Sequence, residues 1–84
     1  LSQQERDEQR LIAQHIDKSW GQADASLKVP VSLWVIIGYL HAFDGDVERT
    51  RHAFALSTEE MEAALAYYRR YKKYIDARLL LNSA

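Results

Sequence analysis

Hydrophobic and polar positions divide the chain into a polar opening, a mixed connector, an almost wholly apolar stretch, and two segments with helical spacing. Residues 3–10 are all polar, after which Leu11, Ile12, Ile16 and Trp20 fall on one side of a helix. Ser2 and Glu5 have the spacing of a capping box, so the pattern predicts a helix reaching residues 17–20 and docking through its second half alone. Gly21 is its expected stop. Residues 21–31 then read as a connector ending in an extended Val29-Pro30-Val31 arm, because proline disfavours helix at the residue before it. Such an arm could pair as an edge strand with a second copy.

Ser32 can cap the next helix, predicted over residues 32–43. Leu33, Trp34, Ile36, Ile37, Leu40 and Phe43 include the spacings of three and four that a buried helix needs, and Val35 makes it apolar nearly all round. Gly38 in its middle predicts the close approach of a neighbouring helix. Asp44-Gly45-Asp46 is turn chemistry, with Asp46 as N-cap of a two-turn helix ending near Phe54. Val47, Thr50 and either Ala53 or Phe54 form its inward side, and Ala55-Leu56 make the following turn with Leu56 in the core. Ser57-Thr58-Glu59-Glu60 is a second capping box. Beyond it Met61, Ala64, Leu65, Tyr68, Tyr71 and Ile75 form one core stripe, extendable to Leu79, which predicts a single helix to about residue 81.

A short helix, a tight turn and a longer helix are the form of a helix-turn-helix module. The expected fold is all-α: a small helix-turn-helix with a three-helix core over residues 32–81, an additional N-terminal helix over 1–20, and a short extended arm in the connector 21–31. With 84 residues the chain is one domain of modest stability. Two Trp, two Phe and five Tyr are more than a three-helix core easily encloses. Trp20, Tyr67, Tyr71, Tyr74, Leu80 and Leu81 are therefore candidate contacts with a homodimer mate or a partner.

Enzymatic chemistry finds no support in the pattern. Asp44, Asp46 and Glu48 alternate like the start of a calcium loop, but Arg49 and Ala55 stand where that loop needs glycine and a carboxylate. His15, His41 and His52 are isolated, with no pair at metal-ligand spacing. Neither a glycine-rich phosphate loop nor a nucleophile elbow occurs. The expectation is a non-enzymatic protein with no cofactor, metal or small-molecule substrate. The absence of Cys excludes disulfides and thiolate sites and points to a cytoplasmic setting. No apolar run approaches the roughly eighteen residues of a membrane span, and the charged start is not a signal peptide.

Net charge is −1, so no global pull toward nucleic acid exists. Locally, Glu59, Glu60 and Glu62 make the start of the last segment acidic, while Arg69, Arg70, Lys72, Lys73 and Arg78 outweigh Asp76 further along. That polarity complements a helix dipole as well as a binding role. If the module reads DNA, the candidate contacts are Lys28 on the arm, Arg49, Arg51 and His52 on the short helix, Ser57 and Thr58 at the start of the last, and Arg69 and Lys73 beyond. Three carboxylates facing a polyanion weigh against it, and protein contact is the better use of an acidic helix start.

The stretch from Val29 to Leu79 also resembles a bacterial family called domain of unknown function 433. Val29-Pro30-Val31 matches its Ile-Pro-Val lead-in, Gly38-Tyr39-Leu40 its first helix, and Leu56-Ser57, Glu60, Ala63-Ala64-Leu65 and Tyr67-Tyr68 its last helix, followed by Ile75-Asp76-Ala77-Arg78. Lys28 stands in place of the usual Arg, and Ala55 in a turn position where Gly is common, which predicts a less left-handed turn. Members of that family are similar to VapB-type helix-turn-helix antitoxins, encoded beside PIN-like ribonuclease toxins. The resemblance implies an antitoxin-like role: forming a homodimer, binding a PIN-like toxin and repressing operator DNA. The alternative is a protein–protein dimerisation or adaptor module without DNA binding.

Overall fold

A computed structural model describes residues 2–19, 21–23, 25–27 and 31–82. Trp20, Lys28, Val29 and Pro30 lie outside the described residues. The order is α1 (Gln3–His15), β1 (Ile16–Asp17), β2 (Ser26–Leu27), β3 (Val31–Ser32), α2 (Leu33–Ala42), α3 (Val47–Ala53), α4 (Thr58–Arg70) and α5 (Lys72–Asn82). This is an all-α fold with a short extended arm.

The first helix is shorter than its apolar pattern suggests. Ser2 caps it by accepting from the Glu5 amide at 3.2 Å. Glu5 answers through the Ser2 hydroxyl at 3.4 Å. At the other end Asp17 takes the Ser19 amide at 2.9 Å and the Ser19 hydroxyl at 2.6 Å. Short polar side chains of this kind offer the backbone a turn instead of another helical turn. Ile16 is already extended, and Gly21, at φ +94°, serves the turn beyond β1 instead of ending α1.

The connector forms a small antiparallel sheet of order β1-β2-β3. Ile16 sits opposite Leu27, and Leu27 opposite Val31. Ile16 and Leu27 face the core, while Asp17 and Ser26 lie half-buried. Of the arm expected at Val29-Pro30-Val31, Val31 lies among the described residues, in β3, which pairs with β2 as an outer strand of the sheet.

α1 and α4 run antiparallel, clamped at both ends. Glu8 accepts from Arg69 at 2.6 Å, and His15 lies 3.3 Å from Glu59. Glu8 is well covered, so the polar half of α1 docks too, through an ion pair rather than apolar surface. Ile12 and Ile16 join Leu33, Ile36, Ile37, Leu56, Met61 and Ile75 in one core.

Both turns of the helix-turn-helix end their helices in the same way. After α2 the Gly45 amide reaches Leu40 O and the Asp44 amide reaches His41 O; after α3 the Leu56 amide reaches Arg51 O and the Ala55 amide reaches His52 O. These are Schellman pairs, and each needs a left-handed residue just past the helix. Asp44 at φ 55° and Ala55 at φ 53° supply it. The Ala55 turn is fully left-handed, against the expectation, because two backbone hydrogen bonds and the burial of Leu56 outweigh the strain on one Cβ. Asp46 accepts from the Arg49 amide, and the Ser57–Glu60 capping box closes in both directions. Ser32 occupies its N-cap position without a side-chain cap bond. On α3 the inward residue is Phe54, with Ala53 exposed.

The last segment is two helices, not one. At Tyr71, φ −122° and ψ 34°, the helical path breaks without help from Gly or Pro. The break turns α5 so that Ile75 and Leu79 pack against α2, where a Cβ on Gly38 would lie 3.1 Å from the Leu79 Cδ2 atom.

The strain at Ala55 has a measurable consequence. Ala55→Gly should raise stability by about 0.5–1 kcal/mol, a few degrees in Tm for a domain of this size. Thermal unfolding followed by circular dichroism checks it; an unchanged or lower Tm would mean the turn carries no strain.

Candidate interaction surfaces

Three of the residues expected to touch DNA, Arg51, Ser57 and Arg69, are occupied inside the chain. Arg51 holds Glu48 through Nε and Nη2, at 3.0 and 2.8 Å, and donates Nη1 to Leu56 O at 3.0 Å. It fastens α3 to the turn that follows, and its guanidinium keeps the Glu48 carboxyl below its ordinary pKa. Ser57 is consumed by the capping box and Arg69 by Glu8. Arg49 stacks on the Phe43 ring at 4.2 Å but remains exposed, as do His52 and Thr58. Lys73 is exposed on α5, on a different helix from all of these. The acidic start of α4 is also largely used: Glu60 closes the cap, Glu59 faces His15, and Glu62 alone points outward without a described partner.

The basic run does not form one patch. Arg69 turns to α1, Lys72 to Asp76 at 2.6 Å, and Arg78 lies over the Trp34 ring at 5.1 Å. Separate helix faces and the bend at Tyr71 scatter these charges, which a linear count of cations cannot register.

Among the candidate contact residues, Tyr67 is a core residue. Its ring is fully buried, and its hydroxyl donates to Gln22 O at 2.9 Å, tying α4 to the loop after β1. Burial pushes its pKa up to about 12. The missed signal was local: Ala63, Ala64 and Ala66 beside Tyr67 make a second, small-residue face against which α1 lies. Tyr71 is half-buried and stacks on Tyr67 with ring centres 4.6 Å apart. Tyr74, Leu80 and Leu81 are exposed, the leucines by 74% and 75%.

Two apolar grooves flank α5. One, of about 230 Å³, lies between α2 and α5 and is lined by Trp34, Val35, Gly38, Tyr39, Ala42 and Leu79. It is too small for a typical organic cofactor and suits one or two apolar side chains. The other lies on the far side of α5, against Ala23, with Lys73, Tyr74, Ala77, Arg78 and Leu81 along its wall. The first groove exists because α2 is apolar on its outer side as well as its inner one.

A polar cluster holds this arrangement. Tyr68 on α4 donates to Asp76 at 2.7 Å, Lys72 donates to the other carboxylate oxygen, and His41 at the end of α2 lies 3.4 Å from the Tyr68 hydroxyl. Lys72 and Tyr68 together hold the Asp76 carboxyl below its ordinary value of 3.8, while burial and Asp76 raise the Tyr68 phenol. Among the described residues no group of three His, Cys, Asp or Glu could hold a metal ion, and no helix is long and apolar enough to cross a membrane.

A carboxyl with a lowered folded-state pKa stabilises the fold above its unfolded value and loses that contribution as pH falls through the folded one. Asp76→Asn should therefore cost about 1 kcal/mol at pH 7, since the pair is partly solvent-screened, and the difference from the parent should shrink below about pH 4. Urea midpoints for both proteins between pH 7 and 3 test this. An offset that stays constant with pH would show that the carboxylate charge is irrelevant.

No family model matches this chain, and neither the curated proteins nor the solved structures compared with it give a match.

Proposed function

We propose that this chain is a non-enzymatic, antitoxin-like helix-turn-helix protein of the cytoplasm that works by protein contact, as a homodimer holding a PIN-like toxin. The single observation that carries the protein-contact reading is the open groove between α2 and α5, rimmed by the half-exposed Tyr39 and floored by Gly38 and Leu79. An apolar helix of a partner can lay one or two side chains into such a groove, with an aromatic anchor at its edge. The toxin as occupant rests on the resemblance to domain of unknown function 433, and the cytoplasmic setting on the absence of Cys.

Operator DNA is a second reading. Exposed Arg49 and His52 on α3, beside Thr58 at the start of α4, favour it as phosphate contacts. The engagement of Arg51 and Arg69 within the chain favours the adaptor alternative, in which the module binds protein and no DNA.

Co-expression with the protein encoded beside it in its genome tests the toxin contact. A PIN-like nuclease from that position should co-purify, and Tyr39→Lys or Val35→Glu should weaken the complex at least about tenfold while leaving the fold intact. A nuclease that does not bind, or binds these variants equally well, contradicts the reading. For DNA, a low-salt gel shift with the upstream region should weaken in Arg49→Ala with His52→Ala; an unaffected shift, or none, leaves the adaptor alternative standing.

A further inference from the structure

The charges of α5 run against its own dipole. A helix favours carboxylates in its first turn and cations in its last. α5 has no acidic residue in its first turn and no basic residue in its last. Lys72 and Lys73 open it instead, and Leu79, Leu80, Leu81 and Asn82 close it. Lys72 is neutralised by Asp76, but Lys73 is exposed and makes no ion pair among the described residues. The same helix leaves Tyr74, Ala77 and Leu81 exposed at spacings of three and four, along an open groove of about 650 Å³. That is one unpartnered seam with charges misplaced for a lone helix.

We propose that this seam is the homodimer contact, with α5 of a second copy lying antiparallel against it. The proposal rests on the dimer part of the reading above and assigns it a surface distinct from the α2–α5 groove. Placing the two-fold axis between Ala77 and Arg78 sets Tyr74 against Leu81 of the second copy and Lys73 against its Asn82. Each Lys73 then meets the negative end of the other helix, which has no cation of its own. Charges unfavourable within one chain become complementary between two. Ala77 at the crossing allows the backbones to approach at the 8–10 Å typical of packed helices. The two Lys73 ammoniums stand roughly 13 Å apart along the axis, beyond the Debye length at physiological salt. Arg78 and its mate do meet near the axis, but each guanidinium is drawn back over its own Trp34 ring. One face of an eleven-residue helix is a small contact beside the roughly 800 Å² per partner of a standard interface, so a weak, micromolar dimer is expected.

Sedimentation equilibrium across a micromolar to near-millimolar series reads the dissociation constant. Tyr74→Glu and Leu81→Glu, both at exposed positions, should weaken association at least about tenfold. Lys73→Glu is the diagnostic variant: it should weaken association yet raise the Tm of the dilute monomer, because it corrects the dipole of the single helix. In a chain without Cys, Ala77→Cys should form a disulfide-linked dimer on oxidation, and Arg10→Cys on the exposed side of α1 should not. A chain that stays monomeric throughout overturns both this inference and the dimer reading. A dimer indifferent to all three α5 charge variants overturns the seam alone, and so does a Lys73→Glu variant that associates as well as the parent.

Discussion

The carboxylate of Asp76 accepts from the Tyr68 hydroxyl with one oxygen and from the Lys72 ammonium with the other, and this fastens the start of α5 to α4 across the break at Tyr71. Without the break, Ile75 and Leu79 would continue the straight course of α4. With it they turn onto α2, and Leu79 closes over Gly38. The break gives up helical backbone bonds in the middle of good helix-forming sequence, so tertiary packing has to outweigh local preference there. The same bend creates both surfaces assigned to partners: the groove between α2 and α5, and the outward seam of α5.

Charge follows a parallel logic. The chain carries nearly balanced charge, and three of its cations are bound to carboxylates distant in sequence or in the next turn: Arg69 to Glu8, Arg51 to Glu48, Lys72 to Asp76. Those pairs position helices, and partly exposed pairs of this kind contribute little energy individually. They engage Arg51, Arg69 and Lys72 within the chain, while Arg49, His52 and Lys73 stay exposed and apolar surface remains outward on α2 and α5. Protein contact is the use we propose for that apolar surface.

Much of this fold was legible in the sequence, for reasons that can be named. The caps at Ser2, Asp46 and Ser57 were readable because capping is a contact between residues three apart. The nearly all-apolar α2 and the close approach at Gly38 were readable because Leu33, Ile36, Ile37 and Leu40 carry the spacing of a buried face and Gly38 offers no side chain to a neighbouring helix. The strands were not, since two-residue strands carry no period, and β1 was taken from the end of an apparently continuous amphipathic helix. The break at Tyr71 was hidden because neither Gly nor Pro marks it and its cause lies in α2. The left-handed conformation of Ala55 was hidden because residue preference does not contain the two backbone bonds that force it. Exposure of the candidate contact residues was legible only in part: Tyr74, Leu80 and Leu81 stay exposed, while Tyr67, equally available by its spacing, is fully buried. Helical spacing says which residues share a face, but not which of two apolar faces a neighbouring helix covers.

The central claim is that α5 bends away from α4 to lie on α2, and one contact reports it directly. In a nuclear Overhauser spectrum of the labelled protein, the Gly38 α-protons and the Leu79 methyl groups should show a strong cross-peak, with the chemical shifts of Tyr71 departing from helical values. A continuous helix through Tyr71 with no Gly38–Leu79 cross-peak would contradict the bend, and with it both surfaces derived from it.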